Sequence, residues 1–429
     1  MIRKSKKQQQ NEAVSDVVSS QSADVPVDNM IPPAEEQTIT QLLDQVVRDA
    51  YDKQSSDIHF EPREKDMIVR YRIDGILHDV LTIAKELESA LIFKIKIASN
   101  LKTDEHFAPQ DGRIHFNLSE EAKFDTRISI VPTTWGEKIV IRLLTSGGKS
   151  LELADLGFSA DALERVKNNY TKPYGMIVAS GPTGSGKTTT LYSILKLVNS
   201  RDVNISTIED PVEYSIEGVN HIQVNTKADL TFATGLRSLL RQDPDVIMIG
   251  EIRDKETAKI AINAAMTGHL VLSTIHTNDA VTTVPRFIDM GVEGYLVATT
   301  LNLIIAQRLA RKLCSKCKKK VEITKEDYDS IQKIRPDIAA MIKVGDIVYE
   351  ETGCSLCRDT GFKGRLGLYE VFEVNKDMRK MISEGADSDT LFEQARKNGL
   401  VLIVEDGIVK LKAGDISISE LLRVTAIKE

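Results

Sequence analysis

The chain has 429 residues, too many for one ordinary core, so about two to four domains are expected. Apolar residues make up 41%, charged residues 28%, and the net charge is −7. That mix is globular rather than disordered, and it excludes a general binder of DNA or anionic membrane. The basic residues Arg3, Lys4, Lys6 and Lys7 are followed by glutamines rather than an apolar run, which argues against a secretory signal. The longest apolar stretch, Tyr295 to Ala310, is broken by Thr299, Thr300, Asn302 and Gln307, short of the roughly 18 residues a membrane span needs.

Residues 1–36 are polar and without period, and are expected to form a disordered tail. Residues 37–148 mix helix and strand signals, predicting an N-terminal α+β domain. In "TITQLLDQVVRDAYDK" the residues Ile39, Leu42, Leu43, Val46 and Val47 fall at helical spacing. "MIVRYRIDG" alternates, with Val69, Tyr71 and Ile73 on one face, Arg70 and Arg72 on the other, and a turn at Asp74-Gly75. "DTRISIVPT" and "EKIVIRLLT" predict further strands. Residues 149–157, within "SGGKSLELADLG", read as a linker. Residues 158–313 repeat strand, loop and helix, which predicts a parallel α/β core. Residues 314–360 hold the cysteines, and 361–429 are expected to be a C-terminal helical region.

Within the core, "MIVASGPTGSGKTTTLYSIL" carries G-x-x-x-x-G-K-T between an apolar strand and a helical run. Residues Gly181, Pro182, Thr183, Gly184, Ser185, Gly186, Lys187, Thr188 and Thr189 form the predicted nucleotide loop. Its glycines let backbone N–H groups turn toward phosphate oxygens, and the helix N-terminus adds its positive dipole end. Lys187 should reach the β- and γ-phosphates, and the Thr188 hydroxyl should ligate Mg²⁺ of the bound ATP. Two acidic clusters follow, "STIEDPVEY" with Glu209, Asp210 and Glu213, and "DPDVIMIGEIRD" with Glu251. In parallel sheets ligands sit at the carboxyl ends of strands, so carboxylates placed there can hold a metal or orient water. A third strand ends at His276 in "GHLVLSTIHTNDA", where an imidazole could sense the γ-phosphate.

The cysteines Cys314, Cys317, Cys354 and Cys357 form two CxxC pairs separated by 36 residues. Four thiolates suit a closed, structural Zn²⁺ site. Neither pair opens a helix of a thioredoxin-like unit, which argues against a redox role. The segment Val321 to Glu350 between the pairs is expected to be a small helical insertion. Arg308, Arg311, Lys312, Lys316 and Lys318 to Lys320 cluster beside the first pair. With one Trp and 5% aromatic residues there is little for base stacking, so this patch favours a protein partner over nucleic acid.

Taken together these motifs resemble the secretion-type ATPases of type II secretion and type IV pilus assembly, GspE and PilB. The marks are "SDIHFEP", "VRYRIDG", "PQDGRI", the phosphate loop, "TIEDPVEY", "GEIRD", "GHLVLSTIHTND", both cysteine pairs and "EDGIVKLKAG". The resemblance covers about residues 37–429. It implies a RecA-like P-loop ATPase core with an N-terminal α+β, PAS-like domain and a C-terminal zinc-binding and helical region. It implies a homohexamer binding ATP between protomers, with Arg113, Arg127 and Arg142 completing the site. The role it implies is a cytoplasmic motor, peripheral to the inner membrane, acting on a membrane platform protein and so indirectly on pilins or pseudopilins. In that mechanism Glu251 positions water, Glu209 supports metal or water, and His276 relays phosphate state. Hydrolysis then rocks one domain against the other about the linker. A pilus retraction ATPase is an alternative, against which the four cysteines argue; a DNA-uptake or conjugation motor is another.

Overall fold

A computed structural model describes residues 36–117, 123–144 and 152–426. The expected tail lies almost wholly outside the described residues, and the expected linker partly so. The chain divides into two units, Met1–Gly147 and Gly148–Glu429.

The first unit is one antiparallel sheet with helices against it. Its strands are β1 (Asp57–Pro62), β2 (Asp66–Ile73), β3 (Ile76–Ala84), β4 (Gln110–Asn117), β5 (Lys123–Thr133) and β6 (Gly136–Leu144), in the order β3-β2-β1-β6-β5-β4. The helices Glu36–Asp52 and Lys85–Ala98 bury Leu42, Leu43, Val46, Leu91 and Ile95 against Ile58, Phe60, Val69, Ile128 and Ile141. Side chains alternate across each strand, so one face is apolar core and the other is polar. The turn Asp74-Gly75, at φ 48° and 88°, closes the β2–β3 hairpin, as the sequence predicts; positive φ at both positions matches the twist of the strands.

The polar face carries an ordered row of charge. Register pairs Arg113 with Arg127, Arg127 with Arg142, Arg142 with Asp57, and Asp57 with Arg72. The three arginines read singly in the sequence therefore stand side by side on adjacent strands. Arg142 reaches Asp57, Nε to Oδ1 at 2.8 Å. Like charges directly opposite one another repel; Asp57, between Arg142 and Arg72, offsets part of that charge.

The second unit is built on a seven-stranded sheet. Its strands are β7 (Gly175–Ser180), β8 (Ile205–Glu209), β9 (Val219–Gln223), β10 (Val246–Ile249), β11 (Leu270–Ile275), β12 (Leu301–Leu313) and β15 (Phe362–Glu373), ordered β15-β12-β7-β11-β10-β8-β9. All neighbours run parallel except β15, which is antiparallel to β12. The central strands are buried on both faces, Ile177, Val178, Ile247, Met248, Val271 and Leu272 being at most 1% exposed. Helices on both sides of a sheet require that. Gly268, at φ 108°, follows the helix Lys255–Met266 and turns the chain into β11, as expected of a glycine after a helix end.

The region beyond the second cysteine pair is not purely helical. It begins with β15, which joins the main sheet before the helices Lys376–Ser383, Ser388–Lys397, Ile403–Lys412 and Ile418–Thr425. The insertion between the pairs also differs from expectation. Its helices Lys325–Ile334 and Pro336–Ala339 are bracketed by an antiparallel ribbon of β13 (Lys319–Glu322) and β14 (Ile347–Glu350). A satellite core of Ile323, Ile331, Ile338, Val348, Leu368, Leu411 and Leu421 holds this region together.

Candidate nucleotide site and four-cysteine cluster

Because β7, β8, β10 and β11 are parallel, their carboxyl ends share one edge of the sheet. The phosphate loop leaves β7 there, Glu209 ends β8, Gly250-Glu251 follows β10, and His276 follows β11. Gly181, Gly184 and Gly186 have φ of 138°, 78° and 89°, values that L side chains adopt rarely. A Cβ on Gly181 would meet the Gln307 carbonyl at 2.5 Å and Ser185 Oγ at 2.8 Å. The helix Lys187–Val198 starts from Gly186. Ser185 Oγ is buried without a hydrogen-bond partner among the described residues, a position a phosphate oxygen would satisfy.

Lys187 Nζ curls over its own loop, donating to the carbonyls of Gly181 at 2.8 Å and Pro182 at 3.1 Å. Burial pulls its pKa down to about 8; Glu251 opposes that shift and Arg308 adds to it. A phosphate beside it would restore the charge. Glu251 is half-buried. Its Oε2 lies 2.6 Å from Arg253 Nε and 3.5 Å from His276 Nε2. The fold thus brings Lys187, Glu251 and His276, far apart in sequence, into one electrostatic neighbourhood. Thr188 heads the helix beside them, where its hydroxyl would hold Mg²⁺.

Glu209 is placed differently from the expectation that it supports metal or water. It is 2% exposed, and both oxygens are engaged. Oε2 accepts from Tyr192 Oη at 2.5 Å; Oε1 accepts from Thr207 Oγ1 at 2.5 Å and from His221 Nδ1 at 2.9 Å. The Ile216 amide donates to His221 Nε2 at 3.1 Å, which puts the ring proton on Nδ1 and makes it the donor to Glu209. Burial and Glu209 together push the Tyr192 hydroxyl far above its ordinary pKa, so it remains a donor. The carboxylate therefore joins three elements through both of its oxygens. Asp210 beside it is exposed.

Two functional residues in β12 escape a reading of the sequence. Gln307, 1% exposed, donates to the Ser185 carbonyl at 2.7 Å and accepts from Thr190 Oγ1 at 3.0 Å. It braces both the loop and the helix that follows. Arg308 donates to the Asn278 carbonyl at 2.8 Å and to the Gln307 carbonyl at 3.1 Å, tying the segment after His276 to the strand under the phosphate loop. In the sequence Gln307 is only a polar break in an apolar run, and Arg308 only one member of a basic cluster. A polar residue directly after the buried apolar run 303–306 is the one signal available. Beside the loop lies a cavity of about 790 Å³, lined by Thr183, Gly184, Asn278, Arg308, Glu370 and Phe392 among others.

The four cysteines converge. Their sulfurs all lie within 4.8 Å of one another, with Cys314 and Cys354 at 3.8 Å and Cys317 and Cys357 at 3.6 Å. Zinc–sulfur bonds of about 2.3 Å at tetrahedral angles place sulfurs about 3.8 Å apart, so the cluster fits the ion. Backbone amides of Cys354 and Gly361 each donate to Cys357 Sγ at 3.3 Å. Burial pushes this thiol up, but those N–H groups, with Cys317 and Cys354 beside it, bring it down to about 7, whereas burial and the neighbouring thiols push Cys317 up. One sulfur of the cluster thus holds the charge that its neighbours' protons share.

Comparison with known proteins follows the same lines. The model of one family, described as "Type II/IV secretion system protein", matches residues 33–423. The type IV pilus assembly ATPase PilB of Myxococcus xanthus is 44% identical over 401 residues, spanning 93% of this chain and 70% of that protein. Type II secretion system protein E of Aeromonas hydrophila is 42% identical over 388 residues, spanning 90% and 75%. Among solved structures, the ATPase DotB of Legionella pneumophila superposes with a TM-score of 0.66 at 20% identity, covering 93% of this chain and 96% of that one. The pilus retraction motor PilT, solved with ADP, gives 0.61 at 24%, covering 90% and 97%. At those identities the two structures establish the fold alone.

Proposed function

This chain belongs to the type II/IV secretion system protein family, and from that premise we propose that it hydrolyses ATP to drive assembly of a type IV pilus or of a type II secretion pseudopilus. The observation that carries the reading is the convergence of the phosphate loop, Glu251 and His276 at one sheet edge. The loop from Gly181 to Thr189 cradles the phosphates. Lys187 offsets β/γ charge, Glu251 orients the attacking water, and His276, beside Glu251, senses the γ-phosphate. Thr188 would hold Mg²⁺, whose charge neutralises phosphate oxygens when bound.

The arginine row Arg113, Arg127 and Arg142 supports a contribution to γ-phosphate charge in a neighbouring copy of a hexameric ring, worth roughly 10³–10⁵ in rate. Cys314, Cys317, Cys354 and Cys357 would hold a structural zinc. Among the described residues no helix is long and apolar enough to cross a membrane. The chain acts at the cytoplasmic side of the inner membrane through a platform protein, whose movement extrudes pilins or pseudopilins. Stimulation of ATP turnover by the platform's cytoplasmic part tests this. Stimulation by single-stranded DNA instead would replace it with a DNA-translocation motor.

A further inference from the structure

Beyond the groups that face phosphate, the site contains a strut whose purpose packing alone does not supply. Tyr192 lies in the helix that Lys187 begins, is fully buried, and stacks edge-on against Tyr214 with ring centroids 4.7 Å apart. Its hydroxyl meets Glu209 at 2.5 Å. Among the described residues the hydrogen-bond partners of the Glu209 carboxylate are a phenol, a hydroxyl and an imidazole. A carboxylate in such a place costs free energy that an apolar side chain would avoid.

What lies on the far side of Glu209 explains it. The Gly250 amide donates to the Ile208 carbonyl at 2.8 Å. A Cβ on Gly250 would stand 3.2 Å from Glu209 Cα. The two strand ends are therefore in close backbone contact, with Gly250 also held by Thr274 Oγ1 at 2.7 Å, and the position of Glu209 bears on Gly250 and on Glu251 next to it. The path from the phosphate-loop helix through Tyr192, Glu209 and Gly250 to Glu251 is continuous and buried up to Glu209.

We propose that Tyr192 is a positioning residue for hydrolysis: bonded to Glu209, it sets the spacing between the phosphate-loop helix and the strand end that carries Glu251. This rests on the reading of Glu251 as the group that orients water. His221 and Thr207 serve the same strut by fixing the second oxygen of Glu209. The phosphate cradle itself, braced by Gln307, does not depend on it, so nucleotide binding is spared.

The test is steady-state Mg·ATP hydrolysis by the full chain carrying Tyr192→Phe, Glu209→Gln or both. Tyr192→Phe keeps the ring and removes the hydroxyl's bond to Glu209, along with the one it accepts from the Glu213 amide. A misplacement well under 1 Å then lowers kcat about tenfold, with KM for ATP within about threefold of wild type. In the Glu209→Gln background the same change adds little, because both act on one contact. A wild-type kcat in Tyr192→Phe, or a loss confined to KM, overturns the proposal. Should Tyr192→Phe fail to fold, His221 carries the test. His221→Asn, which keeps a donor where Nδ1 stands, retains kcat and His221→Leu loses it; equal rates in the two overturn the strut. Glu251→Gln is measured alongside. If it turns over ATP normally, the water-orienting reading has failed; if it is inactive while Tyr192→Phe is fully active, only the strut has.

Discussion

Replacing Gln307 with Leu separates the bracing of the phosphate loop from its chemistry. The side chain holds the Ser185 carbonyl and Thr190 Oγ1. Leucine fills similar volume and leaves both partners without that bond in a buried place. Each lost bond is worth about 1 kcal/mol net, and stranding a buried partner raises the cost toward 2 kcal/mol. The total is about 3 kcal/mol. Part of it lowers global stability. The rest appears as lost affinity, because a loop with positive φ at Gly181, Gly184 and Gly186 spreads over many conformations once untethered, and nucleotide must then order it. If all of it fell on binding, affinity would drop about 100-fold. Calorimetric titration with ADP and Mg²⁺, together with a thermal melt, measures both shares. Wild-type affinity and an unchanged melting temperature would refute the bracing role.

Other outcomes follow from the same geometry. Lys187 is drawn down to about 8, and bound phosphate raises it. Above that pH, binding must therefore take up a proton and weaken as pH rises. ADP titrations at about pH 9 in buffers of differing ionisation heat should show that uptake, and none should appear at about pH 6.5. Burial lifts Glu370 from 4.5 to about 7, with Asp279 adding to the shift and the Ala280 amide and Arg308 opposing it. The folded chain then holds a proton that the unfolded chain has released. Stability falls as pH rises from 4.5 to 7, by at most about 3 kcal/mol. Glu370→Gln should flatten that slope in melts taken between pH 5 and 8. Metal analysis should find about one zinc per chain. Chelation should loosen residues 314–360 in hydrogen exchange while ADP still protects the phosphate loop; unchanged exchange around the cysteines would contradict a structural metal.

The sequence makes legible what is locally encoded. Gly181 to Thr188 must be contiguous to wrap a phosphate, and each CxxC must be short to turn two sulfurs onto one metal, so both stand out by spacing. The helix at Glu36–Asp52 and the strands β2, β5 and β6 follow from period alone. Register is different, because it is set by residues far apart in the chain. That is why Arg113, Arg127 and Arg142 can be picked out singly, yet their alignment into one row cannot. The same holds for Glu209, whose partners Tyr192, Thr207 and His221 come from a helix and two strands. As a strand-end acid it reads like Glu251, and only the fold separates their surroundings. Strand β15 is hidden for a related reason. It follows a cysteine knuckle and pairs with β12 across the whole insertion, so nothing near it announces the sheet it completes.

The measurement closest to the central claim is single-turnover hydrolysis of Mg·ATP by Glu251→Gln beside wild type and Lys187→Ala. Wild type is expected to turn over, Lys187→Ala to show no hydrolysis, and Glu251→Gln to bind ATP and hold it uncleaved. Release of phosphate by Glu251→Gln at the wild-type rate would contradict the account.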